Sequence, residues 1–302
     1  MTTIAACAPH NELAAAQLLL RGTPDGSPLV TPKSAGWRYL SFQAQRIATP
    51  TTINIGDSEE AVIVIVSGGG LELVIDGRNI HLDGRADVFA GLPWAVYLPA
   101  STSVELVPKP APGNSGVVIA VGQAPLSDAS VHRELVVISP LDIDVEVRGS
   151  GNVTRLVNHI VKPNFPADRL LVVEVYTPAG NWSGWPAHKH DTDAMPAEAV
   201  LEETYYYQFR RAESWALQRL YRRDTRIGPP RNLTFEVRHG DLVVVTDGYH
   251  PFVANPADDA YYLNMLAGDR RTMACSTDPS LADGDTHYTT QPPDTRVSAA
   301  GR

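Results

Sequence analysis

From about Trp37 onward the chain is written in short apolar or alternating runs, AVIVIV, LELVI, WAVYL, SVELV, GVVIAV and RELVVIS, cut by Gly, Pro, Asp and Asn. After a break the rhythm resumes with LLVVEVY, TYYYQF, WALQRLY, DLVVVT and YYLNML. Runs this short, rich in β-branched and aromatic residues and bounded by turn formers, read as strands. Many strands with no helical pattern between them exclude a parallel α/β sheet and leave an all-β sandwich or barrel with a few short helices.

At 302 residues the chain is long enough for two such units, each with its own core. The break between about Asp144 and Pro166 is the expected connector: Val153, Leu156, Val157 and Ile160 fall at helical spacing there. The expected units are an N-terminal barrel over 1–147 and a C-terminal barrel over 148–275. A polar tail over 276–302, rich in Thr, Asp, Pro and Gly, is expected to lie over the surface or move. His10 to Leu20, with Asn11 as a cap, reads as an isolated surface helix or arm. EEAVIVIVSG from Glu59 resembles EETYYYQFRR from Glu202, a hint of internal duplication.

A formal charge of −9 argues against a nucleic-acid partner, which needs clustered Lys and Arg. Two cysteines, Cys7 and Cys275, give no disulfide framework and fit a reducing compartment. The first residues lack a basic leader and any apolar stretch of membrane-spanning length, so a cytoplasmic location with no membrane partner is expected.

The chemistry concentrates in GWPAHKHD (Gly184 to Asp191), LEETYYY (Leu201 to Tyr207) and GDLVVVTDGYHP (Gly240 to Pro251). Side chains two apart on a strand share a face, so His188 and His190 can converge on one ion while Lys189 points away. Glu203 shares its facing with Tyr205 and Tyr207, and His250 follows a Gly-containing turn. Imidazoles plus a carboxylate suit one divalent transition metal such as Zn, Mn or Fe, with positions left open for water or substrate.

This order, His-x-His, then Glu before an aromatic strand, then Gly-Asp, an apolar run and Gly-x-His, resembles the two metal motifs of cupins. RGSGNVTR (Arg148 to Arg155), TPAGNWSGWPAHKHD (Thr177 to Asp191), LEETYYYQF, LQRLY, GDLVVVTDGYHPFVA and YYLNMLAG resemble the 5-deoxy-glucuronate isomerase family of myo-inositol breakdown. That resemblance implies a double-cupin fold of two jelly-roll barrels, with His188, His190, Glu203 and His250 as metal residues and a degenerate N-terminal barrel. Two departures lie beside these positions: Thr246 and Asp247 stand where the family has Pro-Arg, and Gly184 where it has a second Ser.

The implied reaction interconverts 5-deoxy-D-glucuronate and 2-deoxy-5-keto-D-gluconate, an aldose–ketose isomerisation of a small sugar acid. A metal polarising the carbonyl would stabilise an enediolate, and a base must carry the proton. Tyr205, Tyr207, Tyr262, Lys189 and Asp191 are open candidates for reaching the site. Tyr205, Tyr207 and Lys189 are taken as catalytic, with Tyr262 and Arg219 contacting substrate. Arg219 is chosen for the carboxylate because an unpaired mid-strand guanidinium would be costly; an outward-facing Arg219 is the alternative. A 5-keto-4-deoxyuronate isomerase and a cupin dioxygenase are the rival activities. A homo-oligomer is compatible with all of these.

Overall fold

The computed structural model describes residues 15–22, 28–223, 225, 229–284 and 289–298. Its strands form two antiparallel sandwiches, each a large sheet facing a four-stranded one. In the N-terminal half the large sheet runs Val136–Ile138, Ala95–Leu98, Glu59–Ser67, Val117–Pro125, Ser41–Ile47, Leu29–Val30, opposite Thr51–Asn54, Ser103–Pro110, Gly69–Ile75 and Arg78–Arg85. In the C-terminal half it runs Leu19–Leu20, Leu242–Val245, Glu202–Phe209, Ala260–Ala267, Leu170–Thr177, Arg155–Val161, Asp144–Arg148, opposite Trp182–Ser183, Phe252–Ala254, Trp215–Arg222 and Arg231–Arg238. These are the two jelly-roll barrels of the double-cupin architecture.

The large sheets pack against each other, which explains why their strands read as continuous apolar runs. In Glu59–Ser67, Ala61, Ile63 and Ile65 face the N-terminal barrel core with Leu71, Leu73 and Leu106. The alternate residues Val62, Val64 and Val66 belong to the core shared with the other half. With both faces buried, hydrophobicity no longer alternates. Across the junction the Phe42 and Tyr206 rings lie 5.8 Å apart, and Gly122 lies so close to Met265 that a Cβ there would fall 2.4 Å from its sulfur.

Among the carboxylates that tie the halves, three are buried glutamates. Glu60 accepts from the backbone N–H groups of Asp168, Arg169 and Leu170 at 2.7, 2.7 and 2.9 Å. Glu202 accepts from those of Arg38, Tyr39 and Leu40 at 2.6, 2.9 and 2.8 Å. Glu174 takes a two-pronged ion pair from Arg85 at 2.8 and 3.2 Å, joined by the Tyr261 and Tyr176 hydroxyls.

The connector is corrected. Arg155–Val161 is a strand between Asp144–Arg148 and Leu170–Thr177, with a register shift between His159 and Val161. Burial on both faces and that bulge together mimic helical spacing. Asp144–Arg148, which spans the expected boundary at 147/148, pairs within the C-terminal sheet. The expected N-terminal helix is also shorter than read: Ala15–Leu18 is helical, but Leu19–Leu20 pairs with Leu242 and Val243, and His10 and Asn11 lie outside the described residues. The tail is partly anchored: Ser276–Thr277 pairs with His188–Lys189, and Asp294 accepts from Asn181 at 3.1 Å. No helix among the described residues is long and apolar enough to cross a membrane.

Candidate metal centre

Glu203 enters the strand Glu202–Phe209 beside Val245, the last residue of the strand that leads into the His250 turn. Within the C-terminal barrel its Oε2 lies 2.9 Å from His190 Nε2 and 3.3 Å from His250 Nε2. The ligand atoms of His190, Glu203 and His250 all fall within 4.8 Å of one another, and all three residues are buried. His188 stands just beside this trio, its ring centroid 4.8 Å from that of His250.

All three imidazoles are held by the same device. Nδ1 of His190 lies 2.9 Å from Leu201 O, that of His250 2.9 Å from Gly248 O, and that of His188 3.2 Å from Pro186 O. A carbonyl only accepts, so each Nδ1 donates and each neutral ring presents its Nε2 lone pair. Two lone pairs therefore meet a buried carboxylate. The trio consists of acceptors alone, which cannot satisfy one another unless a proton or a metal cation sits between them, and His250 Nε2 is a buried atom with no hydrogen-bond partner. The residues present fit a divalent cation, and the backbone bonds at Nδ1 are the outer support such ligands normally have.

The electrostatics of His188 and His250 agree with neutral rings. Burial, reinforced by the neighbouring His190, pushes His188 down to about 4, and burial with His188 and His190 nearby holds His250 well below the usual imidazole range. Burial opposes charging His190 too, but its bond to Glu203 and that carboxylate's charge outweigh it and raise it. Burial raises the Glu203 carboxyl.

The remaining expected residues separate clearly. Tyr205 is buried with its ring 5.9 Å from His250 and 4.8 Å from Tyr262, and its hydroxyl makes no hydrogen bond among the described residues. Tyr207 is tied: its hydroxyl donates to Gln218 Oε1 at 2.7 Å, and Gln218 Nε2 donates to His250 O at 2.6 Å. Tyr262 shares a short hydrogen bond with Ser183 Oγ. Burial pushes both Tyr205 and Tyr262 up, the latter to about 12, so both phenols stay protonated at neutral pH.

Lys189 and Arg219 are not brought to the centre. Lys189 Nζ is caged by Asp191 Oδ1 at 2.5 Å, Thr192 Oγ1 at 2.9 Å and Glu198 at 2.8 and 3.0 Å, and although burial opposes its charge, these carboxylates outweigh burial and raise it. Asp191 spends its other oxygen on the Gly248 N–H at 2.8 Å, fixing the His250 turn. Arg219 lies outside the barrel, stacked on Tyr221 at 4.1 Å and bonded to Asn232 at 3.0 Å. The inward position on that strand is Gln218, fully buried, which alternation one residue out of phase would have found. Neither departure from the family pattern replaces a candidate ligand. Asp247 pairs with Arg222 at 2.9 Å and Arg231 at 3.3 Å. Gly184 has φ +61, where a side chain would be strained and its Cβ would press within 3.3 Å of His250 O.

With this geometry in place, residues 21–283 match the profile of the KduI/IolB family. The chain belongs to that family. Over 253 residues it is 38% identical to the 5-deoxy-glucuronate isomerase of Geobacillus kaustophilus, covering 83% of this chain and 87% of that protein. To the protein of the same name from Lacticaseibacillus casei it is 46% identical over 139 residues, 46% of this chain and 50% of that one. The solved structure of an IolB-like protein from Salmonella typhimurium superposes with a TM-score of 0.78 at 32% identity, covering 88% of this chain and 98% of that one. A more distant neighbour, the oxalate decarboxylase of Lactobacillus farciminis, has a TM-score of 0.58 at 10% identity over 92% and 95% of the two chains, a likeness of fold alone. The IolB-like protein and this chain thus share the two-barrel frame in which the trio sits.

Proposed function

We propose that this chain is a 5-deoxy-glucuronate isomerase, interconverting 5-deoxy-D-glucuronate and 2-deoxy-5-keto-D-gluconate in myo-inositol catabolism. The observation that carries the reading is the meeting of two backbone-locked imidazole lone pairs with the Glu203 carboxylate, in a chain 38% identical to proteins of that name. His190, Glu203 and His250 would hold one divalent Zn, Mn or Fe ion, with His188 as the fourth donor. When bound, such an ion supplies Lewis-acid polarisation of a carbonyl without redox chemistry.

The chain's own residues do the rest. Burial around the trio excludes water, which strengthens every charge interaction inside. Tyr205 Oη, an unpaired neutral phenol beside His250, is placed to donate a hydrogen bond to a substrate oxygen that gains charge. Ser183 and Tyr262 orient a hydroxyl through their shared hydrogen bond. Tyr207 and Gln218 position His250 rather than touch substrate.

The direct test is NMR of purified enzyme with 5-deoxy-D-glucuronate in deuterated water. Conversion to the 5-keto acid supports the assignment, and solvent deuterium in product identifies a proton route through an enediol. No conversion by enzyme carrying a full complement of metal rejects it.

A further inference from the structure

Four arginines in the described chain are almost fully buried: Arg85, Arg155, Arg222 and Arg231, between 4% and 8% exposed. Three have a carboxylate. Arg85 pairs with Glu174, and Arg222 and Arg231 share Asp247. Arg155 has none. Its one hydrogen bond among the described residues runs from Nη1 to the Val153 carbonyl at 3.0 Å, two residues away. A carboxylate on the adjoining strand, Glu146, is already gripped by Arg148 at 2.9 and 2.6 Å and by His159 at 3.0 Å. An unpaired buried guanidinium is costly, and an arriving carboxylate would satisfy it with a two-pronged, charge-assisted pair.

The sheet register says where that anion would lie. Val157 pairs with Val175, Val175 with Tyr262, and Tyr262 with Tyr207, so these four share one face, the barrel interior. Arg155, two residues before Val157, stands on the same face, with Arg148 directly opposite it on the edge strand. Gly149 makes room: at φ +81, a Cβ there would come 2.9 Å from Arg155 Nη1.

We propose that Arg155, with Arg148 at the rim, binds the terminal carboxylate of the sugar-acid substrate inside the C-terminal barrel, with Tyr262 and Tyr205 between it and the His190–Glu203–His250 trio. The assignment rests on the isomerase reading for the identity of the sugar acid, but not for the anion. A uronate has its carbonyl at one end and its carboxylate at the other. The trio takes the first and the planar fork of Arg155 takes the second, which fixes the direction in which the chain enters.

The test uses full-length, metal-loaded enzyme and the variants Arg155→Met and Arg155→Lys. Turnover of the deoxyuronate is compared with turnover of its neutral methyl ester. The wild-type preference for the acid in kcat/KM should collapse by at least about thirtyfold in Arg155→Met, mainly through KM, with partial recovery in Arg155→Lys, the loss expected of one charge-assisted fork. In parallel, calorimetry with D-glucuronate and its methyl ester, which needs no turnover, should show acid-selective binding that Arg155→Met abolishes. Metal content should stay at the wild-type level in both variants. If neither Arg155 variant changes acid-over-ester selectivity in either assay, the proposal is overturned. If Arg155→Met does not fold, Arg155→Lys decides, and wild-type selectivity there rejects the role. A wild-type enzyme that binds glucuronate selectively yet fails to turn over the deoxyuronate would sink the isomerase reading and leave the anion site standing.

Discussion

Glu60 and Glu202 perform the same task in opposite directions: each spends its carboxylate on three consecutive backbone N–H groups at the start of a strand in the other half. Glu60 pairs with Ala124 and Glu202 with Ala267 in equivalent places of the two large sheets. The equivalence therefore aligns Glu60 with Glu202 and sets Ala61 opposite Glu203. The N-terminal barrel carries a methyl group where the C-terminal barrel carries a candidate ligand.

Glu60→Ala should strand three N–H groups at the junction and destabilise the protein by roughly 2–4 kcal/mol, since each unsatisfied buried donor costs on the order of 1–3 kcal/mol before water relieves part of it. Urea unfolding measures this. Metal content of the folded variant should be unchanged, and a midpoint equal to wild type would show that the clasp contributes nothing.

Glu203→Gln keeps the shape of the trio but removes its charge. Bound metal in the purified variant, read by plasma mass spectrometry, should fall below about a tenth of wild type, with activity falling by roughly a hundredfold or more. Full metal occupancy would mean that the ion sits elsewhere.

Lys189→Met separates a structural lysine from a catalytic one. Removing the ammonium leaves Asp191 and Glu198 facing each other in a largely buried cluster, a loss of about 3 kcal/mol or more. The melting temperature should drop while the pH profile of kcat keeps its shape. A profile that loses a limb would restore Lys189 to the chemistry. Arg219→Ala, on the outer face, should leave KM within about twofold, inside the scatter of surface changes.

Acid should weaken the metal-stripped protein. His188 titrates near 4 when folded, against an ordinary value of 6.5. Between those values the unfolded chain holds the proton and the folded chain does not, so stability falls as pH drops through that window, by up to about 3 kcal/mol at its lower end. His250, also depressed, acts in the same sense, and the raised Glu203 carboxyl offsets part of it. Thermal unfolding between pH 7 and 4 reads the slope. Bound metal, which requires neutral rings, should steepen it.

The strands and the clustering of the candidate ligand residues were legible because each leaves a local mark: short β-branched runs for the strands, His-x-His and Gly-x-His for the turns that aim imidazoles. What was not legible depends on pairing across distance. Val153 to Ile160 imitates a helix because a strand buried on both faces, and bulged, loses its alternation. Arg219 and Gln218 differ by one residue, and only the register against Phe252 and Phe235 says which points inward. Arg155 stood in plain view at the end of RGSGNVTR, but its significance is a missing partner, and a missing partner can be seen only once every neighbour is placed.

Thr277, well past the last strand of the barrel, pairs with His188, and Asp278 accepts from the Tyr221 hydroxyl at 2.6 Å. The residues after Cys275 thus form part of the wall behind a candidate ligand. Proteolytic nicking there would yield a preparation with an intact barrel and a slackened His188, so intact mass belongs beside every measurement of metal stoichiometry.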